Sequence, residues 1–393
     1  MSDSEYDKRL AEIREEMADC GLSSLLVWGE PHGTHGVLSS TNDIGYVTSW
    51  PLRHPGMGVA LLVVPLEDDP VILVTGPEGG ATRARDISHF DDIRRVDPEQ
   101  LVETSSSILS AEATDDGNIG VVRLDDVPFW LYEELLTEFS RDSLIDASTV
   151  FEQLRVIKSD AQISRLETAA ETADAMFETL AERIGVGVER AAVTAEMEHT
   201  AKRTGAEFAT TWLSSGARGG REQWMEPRRT PGTFQEGELF VAGVQVIHDD
   251  YWGHSIRMGT LGDPTPEQQE IFDVVTEAQS VIVDNAASGV ELSELYDAVQ
   301  SVYESHGYGN GFRSLHGLGL RYGGPPKFPR QGSDFDRSAL SVELEAGMVF
   351  EAHPNIWAGP AGDVTGALGD MVVVTENGSE FMTEFSRELA VHN

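Results

Sequence analysis

Three histidines stand where an imidazole adds little to packing. In "MVFEAHPNIW" (348–357) an apolar run leads into His353 and a proline. "RSLHGLGLRYGGPP" (313–326) carries His316 on a glycine-rich turn, and "DYWGHSIRM" (250–258) carries His254 in a strand-like segment. Brought together by a fold, three imidazoles form a site, either as an acid–base group that passes protons or as nitrogen ligands to one cation with an open position. Gly317 and Gly319 beside His316 let a ligand approach the backbone closely. His254 and His353 also suit a simpler role, as buried imidazoles satisfied by backbone carbonyls.

The elements that must position these residues fall into two halves. A chain of 393 residues exceeds what one hydrophobic core usually organises. We place the domains at 1–148 and 149–393. In the first, "YDKRLAEIREEMADCG" is an amphipathic helix ending on glycine. Apolar runs at "SSLLVW", "GVALLVVP", "PVILVT", "NIGVVRL" and "SLIDA" read as strands, with helices at "GPEGGATRARDI", "PEQLVETSSSILSA" and "PFWLYEELLTEF". This is a mixed sheet with helices on its faces. The second half opens with a long helix whose Ile163, Leu166, Ala170, Ala173, Met176, Phe177 and Leu180 share one face. A second helix follows, then a strand at "TTWLSSG" and a hairpin turning at "HDD". Two more helices precede "LHGLGL", "MVFEAHPNIW" and "ALGDMVVVTENGSEF". The order helix, helix, strands therefore occurs twice, as an α+β domain with an internal pseudo-repeat whose central sheet holds the three histidines on one concave face.

Acidic residues number 67 against 28 basic ones, for a formal charge of -39. Only Lys8, Lys158, Lys202 and Lys327 are lysines. Such a chain is no partner for nucleic acid. An even coat of carboxylates suits a cytoplasm of roughly molar salt, where a Debye length of about 3 Å screens self-repulsion; the source is read as a halophile. A single cysteine, Cys20, excludes an internal disulfide framework and reads as a small packing residue on the first helix. With no apolar leader and no membrane-length apolar run, the expectation is a cytoplasmic protein.

Several segments also carry a family resemblance. "LRVIKSDAQISRLETAAETAD", "HGLGL", "LEAGMVFEAHP" and "GDMVVVTENG" are similar to the helix entry and three strand motifs of the creatinase and prolidase (Xaa-Pro peptidase) superfamily. The resemblance implies a pita-bread catalytic domain of the α+β class, preceded by a smaller α/β creatinase-like domain, in a homodimer. Metal-dependent members hold two divalent ions with two aspartates, a histidine and two glutamates, an oxygen-rich set that hard cations favour. Laid on this chain, the first aspartate falls at Ala242 or Gly243 and the second at His254. The histidine is His316, the first glutamate becomes His353, and the second becomes Gly369. Gly323 stands where a further histidine is usual. The resemblance thus implies that the two-ion ligands have been exchanged, with no metal and no cofactor retained.

Other candidates are less constrained. The loop "SSGARGGREQWMEPRRTP" offers Trp224 and Arg228 as substrate-binding groups; no histidine occurs there, unlike in creatinase, so Glu226 or Glu222 would have to substitute for that base as the catalytic carboxylate. Arg53 and His54 in "SWPLRHPGMG" would meet a substrate carboxylate, or simply form a surface turn between Pro51 and Pro55. Tyr322 is a further substrate-binding candidate. Alternation along the strand puts Arg257 on the face opposite His254, as one half of a structural ion pair. "PEGG" (77–80) is a helix start, with no lysine to make it a phosphate loop.

The function expected from these residues is metal-independent hydrolysis of a C–N bond in a small polar or zwitterionic substrate, with catalytic His316, His254, His353 and Glu226. One rival is an Xaa-Pro dipeptidase-like metallohydrolase with a mononuclear three-histidine site. The other is a non-catalytic binding module.

Overall fold

A computed structural model of the chain describes residues 3–29, 43–48, 58–110, 117–219, 232–308, 315–329, 336–358 and 364–392. Two compact units, Met1–Arg155 and Val156–Asn393, make up the chain. The expected boundary at 148/149 falls at the start of a short helix that belongs to the first unit.

In the first unit, α1 (Asp3–Asp19) buries Tyr6, Arg9, Ile13 and Met17 along one stripe. Cys20 lies one residue past α1 and is exposed, so the expected packing role is corrected. The remaining elements are β1 (Leu22–Gly29), α2 (Asp43–Thr48), β2 (Ala60–Pro65), β3 (Val71–Val74), α3 (Glu78–Ile87), β4 (Ile93–Arg95), α4 (Leu101–Ser110), β5 (Asn118–Val122), α5 (Phe129–Glu138), β6 (Leu144–Asp146) and α6 (Ser148–Leu154). Six strands form one mixed sheet in the order β4-β3-β2-β1-β5-β6. Its interior strands β2 and β3 are buried at every residue, as continuous apolar runs require when helices cover the sheet.

The second unit shows the doubled order of elements. α7 (Asp160–Arg183) and α8 (Arg190–Thr204) precede β7 (Phe208–Gly216), β8 (Leu239–His248) and β9 (Tyr251–Leu261). α9 (Pro266–Asn285) and α10 (Leu292–Ser305) precede β10 (Leu315–Gly317), β11 (Gly324–Lys327), β12 (Val349–Ala352), β13 (Asn355–Ala358), β14 (Val364–Ala367), β15 (Asp370–Thr375), β16 (Gly378–Phe381) and β17 (Ala390–His392). Each half begins with the same local device. Ser159 and Gln162 form a capping box on α7, and Thr265 and Gln268 form one on α9. Each box satisfies backbone donors that the first helical turn leaves open.

β8 and β9 are joined by Asp249 and Asp250, both at positive φ (49° and 72°), the backbone that a two-residue hairpin loop demands. The sheet β17-β9-β8-β7 carries α7 and α8, and the sheet β11-β10-β12-β15-β16 lies with α9 and α10. Apolar side chains from α7 and α8 (Ala173, Phe177, Met197) and from α9 and α10 (Ile271, Ile282, Val299) are almost wholly buried, each large one contributing about 1.5–3 kcal/mol. The two sheets meet at Ile256 and Gly369, whose backbones exchange two hydrogen bonds of 3.0 Å. That seam brings β9 against β10, which carries His316, and β12, which His353 directly follows.

Candidate metal centre

His254 lies within β9, a strand buried along its whole length. His316 is the middle residue of β10 and pairs directly with Glu351 of the antiparallel neighbour β12. Directly opposed residues have Cβ atoms only ~4.5–5.5 Å apart, so their side chains meet on one face. His353 follows Glu351 by two residues, the spacing that returns a side chain to the same face. The register therefore places a carboxylate among the three imidazoles.

The distances follow from that register. Glu351 Oε2 is 3.2 Å from His316 Nε2, 3.9 Å from His353 Nδ1 and in closer contact with His254 Nδ1. Ring centroids of His316 and His353 are 4.7 Å apart, and His254 is 5.8 Å from each of the two. The four side chains are at most 4% exposed. The half-buried Tyr322 extends its phenol to 3.0 Å from His254 Nδ1.

Burial sets the electrostatics. It pushes Glu351 up to about 7, against the opposing pull of His316, and it pushes His254 down to about 3. Oε1 of Glu351 lies buried without a donor in bonding alignment. Leaving such a group unsatisfied costs about 1–3 kcal/mol, and a cation held by that carboxylate removes the cost. The fit is geometric as well: one ligand atom from each of His254, His316 and Glu351 lies within 4.8 Å of the other two. Two imidazoles and a carboxylate are a donor set that zinc and its borderline neighbours accept.

The positions assigned above to the two-ion aspartate and glutamate are filled by other groups. A Cβ on Gly243 would fall 2.1–2.3 Å from the indole of Trp212, its cross-strand partner on β7. A Cβ on Gly369 would fall 2.4 Å from Glu351 Oε1 and 2.9 Å from Ile256. Ala242 is completely buried in the core beneath α7 and α8. Glu351 thus approaches the centre through space that a side chain at position 369 would occupy.

Of the candidates from sequence, the fold brings together His254, His316, His353 and Tyr322. Trp224, Arg228, Glu226, Glu222, Arg53 and His54 lie outside the described residues. Arg257 points away from the centre and pairs with buried Asp370 at 2.7 Å, while also donating to the carbonyls of Gly369, Phe385 and Ser386. Glu351 is the residue the sequence reading missed. A lone carboxylate inside "MVFEAHP", in phase with His353, was the signal available.

Metallopeptidase family M24 matches residues 164–376, and the creatinase/prolidase N-terminal domain matches residues 9–157. An Xaa-Pro dipeptidase from Pyrococcus horikoshii is 30% identical over 267 residues, spanning 67% of this chain and 72% of its own length. The crystal structure of the prolidase from Pyrococcus horikoshii superposes with a TM-score of 0.79 at 22% identity, over 97% of this chain and 99% of that one. A dipeptidase structure from Mycobacterium ulcerans gives 0.80 at 21% identity, over 100% and 99%. These two superpositions speak to the fold, a pita-bread unit preceded by a creatinase-like N-terminal unit.

Proposed function

The chain belongs to metallopeptidase family M24, and from that premise we propose that it hydrolyses the C–N bond of a small peptide, an Xaa-Pro dipeptide foremost, with one divalent cation held by His254, His316 and Glu351. The observation that carries this reading is the convergence of those three ligand atoms at a buried point, while Trp212 and Glu351 fill the spaces beside Gly243 and Gly369. It takes up the mononuclear rival named from sequence and changes its ligands, since the carboxylate that a purely histidine set lacked is Glu351. The Xaa-Pro dipeptidase likeness supports the substrate class.

A divalent ion in such a centre supplies Lewis-acid character toward a substrate carbonyl. The chain's own residues do the rest. Glu351 and His316 hold one another's position across β10 and β12, and the ring of Tyr322 packs 5.2 Å from that of His254. His353, edge-on to His316, is the imidazole beside the ligand set suited to moving a proton to the departing nitrogen. Burial of the cluster keeps bulk water away, which strengthens every charge interaction inside it. The composition supports a chain adapted to high salt, and the resemblance supports a homodimer.

The test is turnover of a panel of Xaa-Pro dipeptides before and after dialysis against chelator. Activity should vanish on chelation and return with one equivalent of divalent metal. Activity that survives chelation would instead support the metal-independent mechanism, and absence of turnover with every dipeptide and metal would support a binding module.

A further inference from the structure

Tyr322 stands closer to the proposed cation centre than its place on a surface turn requires. Its phenolic oxygen is 3.0 Å from His254 Nδ1, the same nitrogen that touches Glu351 Oε2, which is itself 3.2 Å from His316 Nε2. Four polar atoms from three separate segments therefore form one continuous cluster. The aim of the phenol is fixed from several sides. Its ring packs at 4.7 Å from the ring of His316, 5.2 Å from His254 and 5.4 Å from Trp252. The turn that presents it is folded back on β10 by a 3.1 Å hydrogen bond from Gly323 N to Gly317 O.

We propose that Tyr322 is a fourth protein ligand, giving its phenolic oxygen to the cation at His254, His316 and Glu351. The inference rests on the single-cation reading above and adds an oxygen donor to it. Charge supplies the physical reason. A divalent ion with two neutral imidazoles and one carboxylate leaves a net charge of about +1 in a site shut off from water, which is costly. Asp370 does not offset it, because Arg257 and Arg387 already pair with that carboxylate. A phenolate oxygen brings the centre to neutrality, with its proton released to solvent on binding. Two imidazoles and two anionic oxygens also form a harder donor set than three histidines, and so shift preference toward ions that accept oxygen.

The test uses Cu(II) as the probe, because it binds nitrogen and oxygen sites most tightly among the first-row divalent ions and reports a coordinated phenolate by a visible charge-transfer band. One equivalent of Cu(II) added to the metal-free full-length protein should produce that band, with phenolate ring modes in resonance Raman spectra. Tyr322→Phe keeps the ring packing. It should retain the fold by circular dichroism, lose the band, and bind Cu(II) more weakly by at least the ~10–100-fold seen when a mere supporting group at a metal site is lost. One bound Cu(II) without the band in the parent protein, or a band that persists in Tyr322→Phe, overturns the assignment of Tyr322 and leaves the three-residue centre standing. Cu(II) held equally well by Glu351→Gln and His316→Ala overturns the centre itself, and this ligand with it.

Discussion

His316 and Glu351 face each other directly across antiparallel strands, with Nε2 3.2 Å from Oε2. Neither strand places its residue there by local preference. β10 is three residues long and β12 four, and only the pairing register between them sets an imidazole against a carboxylate. The seam between Ile256 and Gly369 then brings His254 of β9 to the same carboxylate oxygen. A centre built this way depends on three backbones at once, so its ligand geometry is fixed before any ion arrives.

Removing the carboxylate charge while keeping its shape isolates its role. Glu351→Gln should fold as the parent does, yet lose its divalent ion on dialysis and lose activity by more than the ~10–100-fold typical of an outer partner. Isothermal titration with Zn(II) and a thermal melt of the metal-free protein separate the two effects. Unchanged Zn(II) affinity would remove Glu351 from the ligand set.

The two glycines that stand at the resemblance's carboxylate positions should respond differently to alanine. At Gly243 the new Cβ meets the ring of Trp212, a large buried side chain with nowhere to go, so Gly243→Ala should destabilise by about 1–3 kcal/mol. At Gly369 the nearest atom is the far end of Glu351, with the buried Ile256 side chain 2.9 Å away beside it. Gly369→Ala should therefore weaken metal binding by displacing Glu351, in addition to its stability cost, whereas Gly243→Ala should bind metal as the parent does. Denaturant melts and metal titrations on both variants check the contrast, and equal metal affinity in the two would contradict it.

Much of this arrangement was legible in the sequence, for reasons that can be located. The apolar runs gave the buried strands β1, β2, β3 and β5, because continuous hydrophobicity has no other soluble use at that length. "HDD" marked the β8–β9 hairpin, where two aspartates tolerate positive φ. The short β4, α2 and α6 carried too few residues for any period to show. Glu351 falls at a spacer position of the strand motif, where residue type carries no signal, although its two-residue offset from His353 puts both on one face. The contact of Trp212 with the Gly243 position needed the β7–β8 register, which nothing local in the sequence encodes.

Glu198 provides a pH test well apart from the centre. Burial raises its carboxyl above the ordinary glutamate range, despite the hydrogen bond from Thr211 N and the charge of Lys202. A carboxyl whose pKa is raised on folding adds stability below its unfolded pKa, and that contribution is lost as pH climbs through the folded value. At neutral pH the charged group is thus a net cost. Glu198→Gln, whose amide oxygen can still accept from Thr211 N, should melt above the parent at pH 7, with the gap closing on acidification. A variant less stable than the parent at pH 7, by an amount independent of pH, would contradict this.

The formal charge of -39 predicts a strong salt response. Raising KCl from about 0.1 to about 1 M shortens the Debye length from about 10 to about 3 Å and screens repulsion among surface carboxylates. The melting temperature should rise across that range. A flat or falling profile would show that self-repulsion does not limit this fold.

The most direct test is the metal content of the purified protein after exhaustive dialysis, read by mass spectrometry alongside dipeptide turnover. One divalent ion per chain is expected, absent from Glu351→Gln and His316→Ala and required for turnover. Two ions per chain, or full turnover with none, would contradict a single-cation centre at His254, His316 and Glu351.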